Sequence, residues 1–275
     1  MKSVLEVITA TTAYFLKCGI ESPRLNIEHL LAHVLGKKRM DLYLEFDRPL
    51  DEGVLEPLRG LVKRRAAGEP LQHLLGTVEF CGHTLASDRR ALIPRPETEQ
   101  LCELLLAGPP PRRLLDVGTG SGAIALTLAA AWPAALVEAV DVSEEALALA
   151  RENAARLGLA ERVALVRSDL LAAATGEFDL LVANLPYVAT AEIPTLSAEV
   201  QRDPRPALDG GADGTALLRR LIADAPRILR GRLALEIGHD QAASLGTVLA
   251  GHNFQDIRSV SDYQGRDRFL FATYG

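Results

Sequence analysis

The sequence predicts an α/β protein: a mostly parallel seven-stranded sheet with helices on both faces, preceded by a small helical domain and a β-hairpin linker. Three observations predict it. Residues 1–75 carry only helical periodicity. Residues 76–86 (Gly-Thr-Val-Glu-Phe-Cys-Gly-His-Thr-Leu-Ala) read as a hairpin turning near Cys81-Gly82. From residue 113 onward, short apolar runs alternate with helical patterns, as parallel strands joined by crossover helices require.

In chain order, the N-terminal residues up to Ile20 form an amphipathic helix interrupted by Glu6 and Lys17. Ser22-Pro23 supplies an N-cap and a first-turn proline for a second helix. Ile27, Leu30, Leu31, Val34 and Leu35 make its apolar stripe, and Gly36 closes it. Leu55, Leu58, Leu61 and Val62 mark another helix, ending in Lys63-Arg64-Arg65. After the hairpin, Ile93-Pro-Arg-Pro-Glu-Thr98 leads into a helix that stops before Pro109. Strands are expected at 113–117, 135–141, 162–167, 178–183, 232–237, 254–260 and 267–273, and helices near 121–131, 144–157, 214–229 and 239–250. No helix separates the last two strands, so the final one is expected to insert antiparallel. The division reads as 1–75 helical domain, 76–92 linker and 93–275 sheet domain.

Of 275 residues, 48% are apolar and 24% charged, which excludes a disordered or collagen-like chain. The net charge of −6 is uneven. Residues 1–92 hold 13 basic and 12 acidic side chains, whereas residues 93–275 hold 17 and 24. That excess argues against a nucleic-acid partner, whose phosphates need Lys and Arg. No uncharged apolar stretch reaches the length of a membrane span, and no signal peptide is legible. Cys18, Cys81 and Cys102 are odd in number and far apart, as free thiols of a cytoplasmic chain would be. His29 and His33 sit one helical turn apart without further ligands, so no metal is expected.

Two motifs carry chemistry. Leu114-Leu-Asp-Val-Gly-Thr-Gly-Ser-Gly-Ala123 is a strand running into a glycine-rich turn that opens a helix. A phosphate-binding P-loop would need Gly-Lys-Ser/Thr here, and no Lys is present. A dinucleotide and S-adenosylmethionine remain. Asp141, at the end of the next strand, can accept both hydroxyls of an adenosine ribose.

The second motif, Asn184-Leu185-Pro186-Tyr187, ends a buried apolar strand at the carboxyl edge of the sheet. Methylating a planar NH₂ nitrogen is difficult because its lone pair is delocalised. The Asn184 side-chain oxygen and the Leu185 carbonyl can each accept one N–H bond, favouring a pyramidal nitrogen. Pro186 stiffens the turn and Tyr187 offers a flat wall. Such catalysis works through orientation and fixed dipoles, without a strong base.

With these motifs, the whole chain resembles the glutamine-N5 methyltransferases of peptide-chain release factors, the HemK/PrmC family. The resemblance runs through Glu69-Pro-Leu-Gln72, Leu92-Ile-Pro-Arg-Pro-Glu-Thr-Glu99, Asp116-Val-Gly-Thr-Gly-Ser-Gly-Ala-Ile-Ala125 and Ser168-Asp-Leu170. It continues through Ala207-Leu-Asp-Gly-Gly-Ala-Asp-Gly214, Leu235-Glu-Ile-Gly238 and Gly265-Arg-Asp-Arg268. It implies a Rossmann-like class I methyltransferase fold. It also implies S-adenosyl-L-methionine contacts at Gly118, Thr119, Gly120, Ser121, Gly122, Asp141 and Asn184, with Asp169 and Leu170 flanking the adenine. Asn184, Leu185, Pro186 and Tyr187 would hold the glutamine of a Gly-Gly-Gln loop, and the helical domain would help dock the release factor. A monomer that binds neither nucleic acid nor membrane is expected. One position departs: Leu185 stands where most members carry proline, which leaves the backbone carbonyl in place. Asn-Leu-Pro-Tyr is also the form found in ribosomal-RNA adenine dimethyltransferases, so the alternative is an adenine-N6 methyltransferase acting on RNA or DNA. A dehydrogenase would leave Asn184–Tyr187 unexplained.

Overall fold

Local signals account for most element ends in the computed structural model, which describes residues 2–275. The chain divides into two units: one runs to Gly76 and includes Ser197–Arg202, and the other holds Thr77–Leu196 and Asp203–Gly275. In the first, β1 (Lys2–Ser3) leads into α1 (Val4–Lys17). Ser3 Oγ accepts from the Glu6 backbone N–H while the Glu6 carboxylate accepts from Ser3 N–H, satisfying two donors a helix start leaves orphaned. α2 (Pro23–Leu35) closes at Gly36 in the left-handed conformation, as the sequence predicts. Its start does not follow the prediction. Ser22 is itself left-handed (φ 47°) and makes no side-chain cap, because a capping hydroxyl needs extended backbone to reach the first-turn N–H groups. Asn26 ties that turn instead, donating to the Glu21 and Ser22 carbonyls at 3.0 and 3.2 Å.

β2 (Pro49–Leu50) pairs antiparallel with β1, and α3 (Glu52–Ala66) and α4 (Leu71–Leu75) complete the unit. Val4, Ile8, Phe15, Ile27, Leu30, Leu31, Leu42 and Leu58 form its core. Arg65 is buried rather than solvated like the rest of its basic run. Its guanidinium donates to Asn26 Oδ1, the Glu69 carbonyl and Glu199 at 2.7, 3.0 and 2.7 Å.

The second unit begins with the expected hairpin, β3 (Thr77–Phe80) and β4 (His83–Ala86). Its two turn residues, Cys81 and Gly82, both have positive φ, which matches the right-handed twist of the strands. Then follow α5 (Pro96–Leu106), β5 (Arg113–Val117), α6 (Ala123–Ala131), β6 (Leu136–Asp141), α7 (Glu144–Arg156), β7 (Val163–Arg167) and β8 (Phe178–Asn184). α8 (Ala216–Asp224), β9 (Leu229–Glu236), α9 (Ala242–Gly251), β10 (Gln255–Ser261) and β11 (Asp267–Tyr274) close the chain. All seven expected strands join one sheet, in the order β10-β11-β9-β8-β5-β6-β7, and β11 inserts antiparallel between β9 and β10. The helix expected over 214–229 is shorter. It stops at Asp224, because Pro226 has no N–H to continue it, and Leu229 already belongs to β9.

The chain leaves β5 for β6 and β7, then returns to β8 on the other side of β5. Ligands of such sheets bind at this switch point, beyond the carboxyl ends of the strands. Register does the rest. Val117 pairs with Val140 and Ala183, so the next residues, Gly118, Asp141 and Asn184, stand side by side at that edge. Across β8 and β9, Asn184 lies opposite Glu236.

Candidate active site

A cavity of about 350 Å³ opens at the switch point, within the size range of small-molecule sites. Gly118, Thr119, Gly120 and Ser121 line it, together with Asp141, Asp169, Leu170, Asn184, Leu185 and Pro186. The segment from Arg89 to Pro94, which follows the hairpin, forms another wall. Asn153, fully buried on α7, braces both walls: it bonds both backbone groups of Ala86 and donates to the Ser121 carbonyl at 3.0 Å.

The glycine loop spends its donors internally. Gly118 and Thr119 N–H donate to the Val140 carbonyl, Gly120 N–H to Asp141 Oδ2 at 2.9 Å, and Gly122 N–H to the Thr119 carbonyl. Behind it, Asp116 is fully buried, accepting from Thr119 Oγ1 at 2.7 Å and from Ala125 N–H at 3.2 Å on one oxygen while the other has no partner. Burial pushes this carboxyl up to about 7. Asp141 also rises with burial, offset by bonds from the Ser143 and Gly120 N–H groups. At Gly118 a Cβ would fall 2.7 Å from Leu185 Cδ2, so bare backbone is what lets Leu185 close over the loop. Leu170 holds φ 49°, a costly region for a leucine, where Ser168 Oγ bonds its carbonyl at 2.7 Å.

Two residues expected at the ligand do not line the cavity. Gly122 starts α6, where it allows close packing on Ala150 of α7. Tyr187 turns toward the sheet: its ring packs on the core, and its hydroxyl donates to Glu236 Oε1 at 3.3 Å. Sequence reasoning also missed Thr98 and Glu236. Thr98 Oγ1 accepts from Asn184 Nδ2 at 3.0 Å and donates to Glu236 Oε2 at 2.8 Å. The available signal was a lone acid inside the apolar run Leu-Ala-Leu-Glu-Ile of β9. Among the described residues, no hydrogen bond is made to Asn184 Oδ1 or to the Leu185 carbonyl.

The Asn-Leu-Pro-Tyr turn is sheathed by the loop at Gly210–Gly214. A Cβ at Gly214 would lie 2.3 Å from the Tyr187 carbonyl oxygen, and one at Gly210 would lie 2.6 Å from that of Pro186. Gln241 completes the support, its Nε2 donating to the Tyr187 carbonyl at 2.9 Å.

These features suit a sulfonium nucleoside better than a dinucleotide. The loop amides named above are already paired, whereas a diphosphate needs such donors free. The acids Asp141, Glu145 and Asp169 line the cavity, and of its two arginines Arg90 is held by Asp88 and Glu152. The fold and the site define a Rossmann-like class I methyltransferase. Solved structures agree on the fold: the hMettl16 catalytic domain in complex with MAT2A 3′UTR hairpin 1 superposes with TM-score 0.61 at 16% identity, over 89% of this chain and 91% of that one. A methyltransferase from Pyrococcus furiosus gives 0.55 at 19% identity, over 70% and 90%. Residues 6–76 match the PrmC N-terminal domain, and residues 97–208 the methyltransferase small domain. The release factor glutamine methyltransferase of Chlorobaculum tepidum is 42% identical over 98% of this chain and 96% of its own length. That of Deinococcus radiodurans is 43% identical over 97% of each. The chain belongs to the release factor glutamine methyltransferase family.

Proposed function

We propose that this chain transfers a methyl group from S-adenosyl-L-methionine to the side-chain amide nitrogen of the glutamine in the Gly-Gly-Gln loop of peptide-chain release factors, in the cytoplasm, in support of translation termination. The observation that carries the reading is the pair of unengaged acceptors, Asn184 Oδ1 and the Leu185 carbonyl, on residues that line the switch-point cavity. When bound, S-adenosyl-L-methionine supplies an electrophilic methyl on a sulfonium centre. Gly118 to Ser121, Asp141, Asp169, Leu170 and Asn184 would hold it, with Asp141 taking the ribose hydroxyls.

Asn184 and Leu185 each accept one N–H of the substrate amide, which draws its nitrogen toward a pyramidal form and aims the lone pair. Pro186 stiffens the turn, and Tyr187 acts from behind through Glu236. No strong base is needed, because the nitrogen proton becomes acidic once the nitrogen is alkylated. Orientation and preorganised dipoles of this kind supply several kcal/mol. The helical region 1–75 is assigned to docking the release factor.

The same two acceptors would serve an exocyclic adenine amine, so the test sets both classes side by side. Purified protein receives methyl-labelled S-adenosyl-L-methionine with release factor, ribosomal RNA or tRNA. Label enters the release factor. Label in RNA and none in protein would overturn the reading.

A further inference from the structure

Two hydroxyls and one buried carboxylate stand directly behind Asn184, and their hydrogen count decides what Asn184 presents. Thr98 Oγ1 lies 3.0 Å from Asn184 Nδ2 and 2.8 Å from Glu236 Oε2. Threonine carries a single hydroxyl hydrogen, and an ionised carboxylate only accepts. That hydrogen therefore goes to Glu236, and the remaining Thr98 lone pair must face a donor. The only donor on the Asn184 side chain is its NH₂, so Oδ1 points away from Thr98. The Tyr187 hydroxyl donates to Glu236 Oε1 at 3.3 Å, so both carboxylate oxygens are held by O–H groups.

We propose that Glu236 and Thr98 are positioning residues that fix which end of the Asn184 carboxamide meets the acceptor nitrogen. The inference rests on reading the site as one that methylates an amide nitrogen, and it adds two residues to that reading.

A protonation requirement follows. A protonated Glu236 becomes a donor toward Thr98, whose own hydrogen is then free to bond Asn184 Oδ1. The carboxamide turns over and presents NH₂ to the substrate NH₂, donor against donor. The bond that pyramidalises the nitrogen is lost. Burial pushes Glu236 up to about 7, against the lowering effects of the Thr98 bond, the Arg268 charge and the Tyr187 bond, while Glu97 raises it further. The groups facing Glu236 are thus Glu97 and Thr98 of α5, with Cys102 of the same helix also feeling its charge, Tyr187 beyond β8, and Arg268 of β11. The competent, ionised form is favoured as pH rises, so activity climbs through the neutral region.

The test uses E236Q, T98V and T98S, assayed with release factor and S-adenosyl-L-methionine between about pH 6 and pH 9, with cofactor affinity measured separately. E236Q keeps the shape but cannot ionise; T98V removes the hydroxyl and leaves the carboxylate in place should E236Q fail to fold. At high pH, kcat falls about 10- to 100-fold in T98V, as loss of one preorganised dipole does, with the cofactor Kd within about threefold of wild type. T98S recovers most of the rate, and the acidic limb of the wild-type kcat profile vanishes in E236Q. Wild-type kcat in T98V, or an unchanged limb in E236Q, would overturn the proposal. So would a cofactor Kd that weakens in step with kcat, because the two residues would then only hold the fold. If the underlying reading fails instead, wild-type protein itself leaves the glutamine unmethylated.

Discussion

Asp116 and Asp141 lie on neighbouring strands, with Asp116 two positions short of the edge that Asp141 reaches, so the register gives them different surroundings. Asp141 is half-buried on the cavity, while Asp116 is sealed behind the glycine loop with one oxygen unpartnered. Its carboxyl, pushed up to about 7, retains in the native state a proton that the unfolded chain releases near its ordinary value of 3.8. Between those values the native state binds more protons than the unfolded one, so stability falls as pH rises through the window. Each pH unit across that window costs about 1.4 kcal/mol. Asp116→Asn cannot ionise. Its denaturation free energy should therefore lose less between about pH 5 and pH 8 than the wild type's; equal losses would show that Asp116 is not the proton holder.

The elements were legible wherever an apolar run met a turn former. β5 through β11 stand where the sequence predicts them, within a few residues, because most are apolar runs bounded by Gly, Pro or Asp; β10, largely exposed, is legible from its place between the last helix and the final strand. α4 and the two-residue pair β1 and β2 were missed, being too short to show a period. At the site, Gly118, Asp141 and Asn184 were readable because each ends a strand. Thr98 and Glu236 were not, because their roles exist only once α5 and β9 come together behind Asn184. The Gly210–Gly214 loop was likewise invisible as support, although its residues carry the family resemblance. Gly214→Ala tests that support. Its Cβ would collide with the Tyr187 carbonyl, at a left-handed φ of 73°. Gly265 has φ 79° but nothing within 4 Å, so Gly265→Ala isolates the backbone cost of about 1 kcal/mol. Chemical denaturation should show Gly214→Ala losing at least about 1 kcal/mol more, as overpacking adds to strain. Equal losses would mean the turn yields freely.

At the scale of the whole molecule, the net charge of −6 is an average over unlike parts. The acid excess lies in residues 93–275, and three of its acids line the switch-point cavity. Such a wall suits a cationic sulfonium and repels a polyphosphate backbone. Sheet order places the cavity, register lines up the glycine loop with Asn184, and the buried hydroxyl–carboxylate chain turns the carboxamide outward. This arrangement methylates an amide nitrogen. Tandem mass spectrometry of a release factor after incubation with the protein and S-adenosyl-L-methionine tests it most directly. One methyl group is expected on the side-chain nitrogen of the Gly-Gly-Gln glutamine, absent with Asn184→Ala while that variant still binds the cofactor. A methyl on any other residue, or one that persists undiminished with Asn184→Ala, would contradict it.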